Sequence, residues 1–282
     1  MAAAAKITPA FLNSLKALFP GASLLPVQSK SSTVSFRNSW SIVAAVAFSA
    51  SNRPDGVQRV FEHALGDLRA RDVEHDTGLI LALEGNKFEE LQLAKKIREA
   101  LLKSGLISGY PKAINALRAL HEVMPEELQD KEISRQGPFL FADTNASLAA
   151  YEMIGDKQFR SIYGDQADPV QNMLDIAYPD MGRISGLNLL SQPLTPIPGW
   201  FSKTIGYGVI YGGVDTLSTL ETSYTLIAAL IAGDTPQQIS WHLDGAKRGG
   251  ASLEETRAVR QISIEVAKFA GVRWKHDIPE AA

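Results

Sequence analysis

Apolar positions along this chain recur mostly at the three- and four-residue spacing of amphipathic helices, and runs with strict two-residue alternation are scarce. Strand-like segments such as Gly206–Tyr211 are short and isolated. Explicit punctuation marks several helices. Thr8 followed by Pro9 reads as an N-cap with proline in the first turn, opening a helix to Phe19 with Phe11, Leu12, Leu15 and Leu18 on one side. Asp234-Thr235-Pro236 opens another helix, which Gly249-Gly250 ends. Ser252-Leu253-Glu254-Glu255 fits a capping box, and that helix runs to Ala270 with Gly271 just beyond. Further helices are predicted over about Phe88–Lys103 and Lys112–Val123, separated by Gly109-Tyr110-Pro111. The expected fold class is all-α.

The pattern also repeats. Ser39-Trp40-Ser41-Ile42-Val43-Ala44-Ala45-Val46 aligns with Ser223-Tyr224-Thr225-Leu226-Ile227-Ala228-Ala229-Leu230. Beyond a gap, Val60-Phe61-Glu62-His63-Ala64-Leu65-Gly66 aligns with Ile239-Ser240-Trp241-His242-Leu243-Asp244-Gly245. In each copy an apolar helix leads through a loop containing proline to a second helix that carries a histidine and, three residues on, a glycine. Two copies of one helical unit is the economical reading. The segments expected are an N-terminal extension (1–37), a degenerate first unit (38–125), a polar connector (126–150), a second unit (151–275) and a tail (276–282).

Composition narrows the chemistry. The chain has 282 residues, with 45% hydrophobic and 21% charged positions, an ordinary globular balance. Its net charge of −3 argues against nucleic acid as a partner. With no cysteine, disulfides, thiolate metal sites and thiol nucleophiles are excluded. No two histidines are spaced for a metal site within one helix, so neither a metal nor another cofactor is expected. The longest apolar stretches reach about half of the ~20 residues that a membrane-spanning helix needs, so no membrane partner is expected. No Asp or Glu precedes Asp55, whereas Lys6, Lys16, Lys30, Arg37 and Arg53 do. That basic start fits a folded helix in a cytoplasmic protein or a mitochondrial transit peptide.

The second copy holds the candidate chemistry. Glu221 opens its apolar helix, and Gln238 and His242 sit four apart on the next. If the helices pack antiparallel, Glu221 can approach His242, and a carboxylate beside an imidazole holds one tautomer and raises its basicity. A core histidine satisfied by a carbonyl, with Glu221 as a charge suited to the helix start, fits the same spacing. In the first copy Arg37 stands where the second has Glu221, and Arg59 where it has Gln238. His63 among arginines can bind an anion or be a structural remnant. His75, His121 and His276 read as surface residues. The glycines of 206–213 do not fit a nucleotide-binding spacing, and close helix approach or a turn is expected there.

The stretch Glu221-Thr222-Ser223-Tyr224, then Gln238 to Glu255 through His242-Leu243-Asp244-Gly245, resembles the carboxymuconolactone decarboxylase family, which shares its fold with the alkylhydroperoxidase D proteins. The lead-in 155–164 and the close of the first copy, Ile97-Arg98-Glu99 before Gly109–Leu117, are similar as well. The resemblance implies two fused alkylhydroperoxidase D-like units in a pseudo-two-fold pair and a homo-oligomer. The peroxidase branch carries a Cys-x-x-Cys pair where this chain has Thr235 and Gln238, so thiol peroxidase activity cannot be inherited. The decarboxylase branch implies a cofactor-free lyase or isomerase acting on a small carboxylated or lactone substrate. Its catalytic residues would be Glu221 and His242. Substrate would be bound by Gln238 at a carbonyl or lactone oxygen, by Tyr224, and by Arg248 at a carboxylate, although Arg248 also suits the helix C-terminus. The alternative is a non-catalytic ligand-binding or assembly protein on the same scaffold.

Overall fold

A computed structural model describes residues 6–20, 39–74, 79–129, 144–178, 183–185, 196–198, 200–213 and 215–282. The described residues are almost entirely helical, as expected from the periodicity, with one antiparallel ladder of three residues a side. They fall into two compact units: residues 1–131 together with 215–282, and residues 132–214. The sequence reading grouped 151–275 instead, and this division cuts that segment at Val214 and Asp215.

The first compact unit holds α1 (Pro9–Leu18), α2 (Trp40–Ala50), α3 (Pro54–Glu74), α4 (Leu79–Ser108) and α5 (Tyr110–Val123), and a 3-10 turn (Glu126–Leu128). After residue 214 the chain adds α8 (Thr219–Ala232), α9 (Pro236–Arg248) and α10 (Leu253–Phe269). Every residue of α2 is buried, and α8 is buried from Glu221 to Ile231. Helices apolar on all sides must lie inside a body, and α2 and α8 pack against each other at its centre. Each then contacts the helix that follows its loop, α3 for α2 and α9 for α8, and both contact α4 and α10.

The punctuation explains the boundaries. Thr8 accepts a hydrogen bond from the Phe11 amide at α1, and Ser252 and Glu255 form the expected reciprocal box at α10. Gly249 caps α9 and Gly271 takes a positive φ just after α10. The residues after α10 are tied down rather than loose. Trp274 Nε1 donates to the Ile231 carbonyl at 2.6 Å, and Arg260 donates to the Ile278 and Pro279 carbonyls.

The second compact unit holds α6 (Thr144–Tyr163), α7 (Ala167–Ala177), the strands β1 (Arg183–Ser185) and β2 (Pro196–Pro198), and a π-helix (Trp200–Ile210). The π-helix replaces the strand-like reading of Gly206–Tyr211, and its wider turn is seen where the Tyr211 amide donates to the Gly206 carbonyl. Close approach, the other expectation for these glycines, is met. A Cβ on Gly155 would fall on the Lys203 carbonyl, and one on Gly208 would fall on the Tyr151 carbonyl. Phe159, Tyr163 and Tyr207 fill the contact, with the two phenol oxygens 3.2 Å apart.

A buried ionic layer between the fourth and eighth helices

Glu221 is the third residue of α8, and its position follows from the cap. Ser218 Oγ accepts from the Glu221 amide at 3.1 Å, while Glu221 Oε2 accepts from the Ser218 amide at 2.9 Å. The reciprocal box fixes the side chain at the helix entrance. Its other oxygen, Oε1, accepts from Lys96 Nζ of α4 at 2.5 Å, and both side chains are 5% exposed. One helical register further along α4, Lys103 is fully buried, donates to Thr222 Oγ1 at 2.9 Å and lies 3.7 Å from Glu99. Lys96, Glu99 and Lys103 follow the i, i+3, i+7 spacing of one helix face. Two residues of α8 thus meet two lysines of α4.

Tyr224 sits one turn beyond Glu221 and is 2% exposed, with Phe19 edge-on at 6.0 Å. Burial, with the Glu255 and Glu221 carboxylates nearby, pushes its phenol well above the usual range. His242 lies in the middle of α9 at 3% exposure, and burial alone pushes its imidazole down to about 4. It is therefore neutral at pH 7, a proton acceptor or a neutral N–H donor rather than a resident cation.

The candidate residues divide by burial. Glu221, Tyr224 and His242 are inside, while Gln238 and Arg248 are exposed near the two ends of α9. The shared helix face of Gln238 and His242 does not place both in the core: Gln238, in the first turn of α9, is exposed, whereas His242 is buried. The structure gives Glu221 a different partner from the expected one. Both of its oxygens are engaged, by Lys96 and the Ser218 amide, and His242 is not among its hydrogen-bond partners. Helix rise gives the reason. Glu221 lies about 16 Å back from the α8–α9 turn and His242 about 9 Å past it, leaving an axial offset of roughly 7 Å. Arg37 and His75 lie outside the described residues. His121 and His276 are exposed, as read from the sequence. Among the described residues no group of acidic and histidine side chains could hold a metal ion, and no helix is long and apolar enough to cross a membrane.

No family model matches this chain. It is 27% identical over 281 residues to Peroxisomal protein 2 of Saccharomyces cerevisiae, covering 86% of this chain and 92% of that protein. It is 28% identical over 246 residues to Peroxisomal protein 2 of Schizosaccharomyces pombe, covering 84% and 89%. No solved structure matches. These likenesses run nearly end to end, so they include α4 and α8 alike, but the names carry no activity that would assign work to Glu221 or His242.

Lys96, Glu99 and Lys103 were not singled out from the sequence. A charged stripe on a long helix ordinarily faces water, and a pair 125 positions apart leaves no local spacing to read. Lys96 and Lys103 flank the apolar face formed by Leu93, Ala94, Ile97, Ala100 and Leu101, and nothing in that spacing marks them as buried.

Proposed function

We propose that this protein is a carboxymuconolactone decarboxylase-like, cofactor-free lyase or isomerase acting on a small carboxylated or lactone substrate. The observation that carries the reading is the enclosure of the Lys96–Glu221 pair in the core that also holds a neutral His242. Such groups are costly to bury, and hydrophobic residues of similar volume would serve the fold as well or better. Perturbed, enclosed ionisable groups concentrate where chemistry is done. The contact pattern of α2 with α3 and of α8 with α9, each pair against both α4 and α10, supports two fused units related by a pseudo-two-fold axis. A homo-oligomer remains part of the proposal, as the resemblance implies.

In the proposed reaction the bond from the ring carbon to the carboxylate breaks and CO2 leaves. The electron pair passes into the conjugated lactone carbonyl as an enolate, and the carbon then takes a proton from water. A neutral imidazole suits the first stage as an N–H donor to the developing oxyanion, since it adds no competing positive charge to the ground state. Lys96 supplies the nearby cation and holds Glu221 in a single orientation. Tyr224, kept protonated by its surroundings, is a second hydroxyl donor. The names of the two relatives favour the peroxisome over the cytoplasm or mitochondrion as the place of action.

The test is CO2 release and ultraviolet absorbance change with 4-carboxymuconolactone and related lactone acids. Wild type is compared with His242→Ala and Glu221→Gln, each checked for folding by circular dichroism. Turnover lost in folded variants supports the lyase. Equal, negligible rates in all three would refute it and leave the scaffold-protein reading. Microscopy of the tagged chain beside a peroxisomal marker tests the location.

A further inference from the structure

An open cleft in the first compact unit lies away from His242. It has a volume of about 700 Å³ and lies between the start of α1 and the outer face of α3, against His63, the histidine of the first repeat. The two repeats thus differ in kind: one histidine is sealed in the core and its counterpart borders a cavity. Asp55, Arg59 and His63 recur every four residues and share a face of α3. Across from them, Ile7 and Leu12 give the cleft an apolar wall, and Lys6 stands at its edge.

The charges of this lining do not cancel. Arg53 is held by Asp55 through two hydrogen bonds of 2.9 and 2.8 Å, so that pair is closed on itself. Arg59 uses Nη1 for Glu62, at 2.9 Å, and its side chain is 62% exposed. Lys6 is exposed and forms no ion pair with the described residues. The surplus is positive. His63 Nε2 lies 3.0 Å from Asn13 Oδ1 and 3.8 Å from Asp67 Oδ2, a carboxylate that Lys16 pairs at 2.8 Å, and Trp40 meets the ring edge-on at 5.9 Å. An aligned imidazole, a lysine, an arginine with donors to spare and an apolar wall form one amphipathic recess.

We propose that the first repeat keeps a ligand site of its own at His63, which takes a small monocarboxylate with an apolar body. Lys6 and Arg59 receive the carboxylate, and Ile7 and Leu12 receive the body. The site uses none of the residues around Glu221 and His242, so it stands whether or not the lyase reading does.

The test uses the full chain and hexanoate as the probe, followed by the imidazole NMR resonances of His63, which His63→Gln identifies. Acetate lacks the apolar body and 1-hexanol lacks the charge. Hexanoate is expected to shift the His63 resonances saturably at millimolar concentration, with acetate and 1-hexanol far weaker. Lys6→Ala combined with Arg59→Ala removes two partly exposed charges and is expected to weaken hexanoate on the order of tenfold. Both positions are exposed, so the fold should survive, and circular dichroism confirms it. His242→Gln should leave the affinity unchanged. No His63 shift with hexanoate overturns the proposal. So does unaltered affinity in the double variant, or equal binding of 1-hexanol.

Discussion

The fold opposes protonation of His242, and acidification should therefore destabilise the first compact unit. The imidazole is 3% exposed, and burial lowers it from 6.5 to about 4. The folded state therefore prefers the neutral ring, and between these two values the unfolded chain binds the extra proton. Stability from this group is complete above about pH 6.5 and is lost as the pH falls toward 4. Working the linkage from the two values gives a loss of about 2 kcal/mol between pH 7 and pH 5, and about 3 kcal/mol by pH 4. Carboxylates also titrate in this range, so the informative quantity is a difference. His242→Gln keeps a polar side chain of similar reach that does not titrate. Urea unfolding of wild type and variant at pH 7, 6 and 5 should show the variant less stable at pH 7 but losing about 2 kcal/mol less on acidification. Parallel losses in the two proteins would refute the reasoning and mean that His242 is solvated or paired when protonated.

The ionic layer gives a second expectation: Lys96→Met should destabilise the protein by about 3–5 kcal/mol, because it strands the Glu221 carboxylate in the core. Adding Glu221→Leu should restore much of that loss in chemical denaturation, which would separate stranding from lost packing. Gly155→Ala should disrupt the second compact unit, since the new methyl group meets backbone that cannot rotate away. Loss of the tyrosine near-ultraviolet signal of Tyr163 and Tyr207 would report it. Ser252→Ala should cost about 1 kcal/mol, the usual worth of an N-cap, read as a lowered urea midpoint.

What the sequence disclosed and what it hid follow from the range of the interactions. Caps are local. Thr8 with Pro9 and Ser252 with Glu255 each act within about one turn, as do Pro236 and Gly249 at the two ends of α9, and the helices they predict are present. α2 and α8 read as apolar helices in the sequence, and both are buried because no amphipathic face is left to meet water. The sequence pattern places the start of α4 near Phe88, and the structure places it at Leu79. The compact-unit boundary near residue 214 was silent, as it depends on which helices touch and not on a change in composition.

The candidate site shows the same division more sharply. Glu221 and His242 drew notice because motif spacing lies within one helical hairpin, and spacing suggested that they meet. Spacing along a hairpin fixes only the axial coordinate, and there the offset of about 7 Å leaves Glu221 facing another helix. Its partner, Lys96, comes from α4, 125 positions away in the chain, so the charge balance at Glu221 depends on a residue outside the hairpin. His63 borders an open cleft while His242 is buried, and α4 supplies the lysines that meet α8. Substitutions at Lys96 should therefore act on α8 through Glu221, and substitutions at His63 should leave that pair untouched.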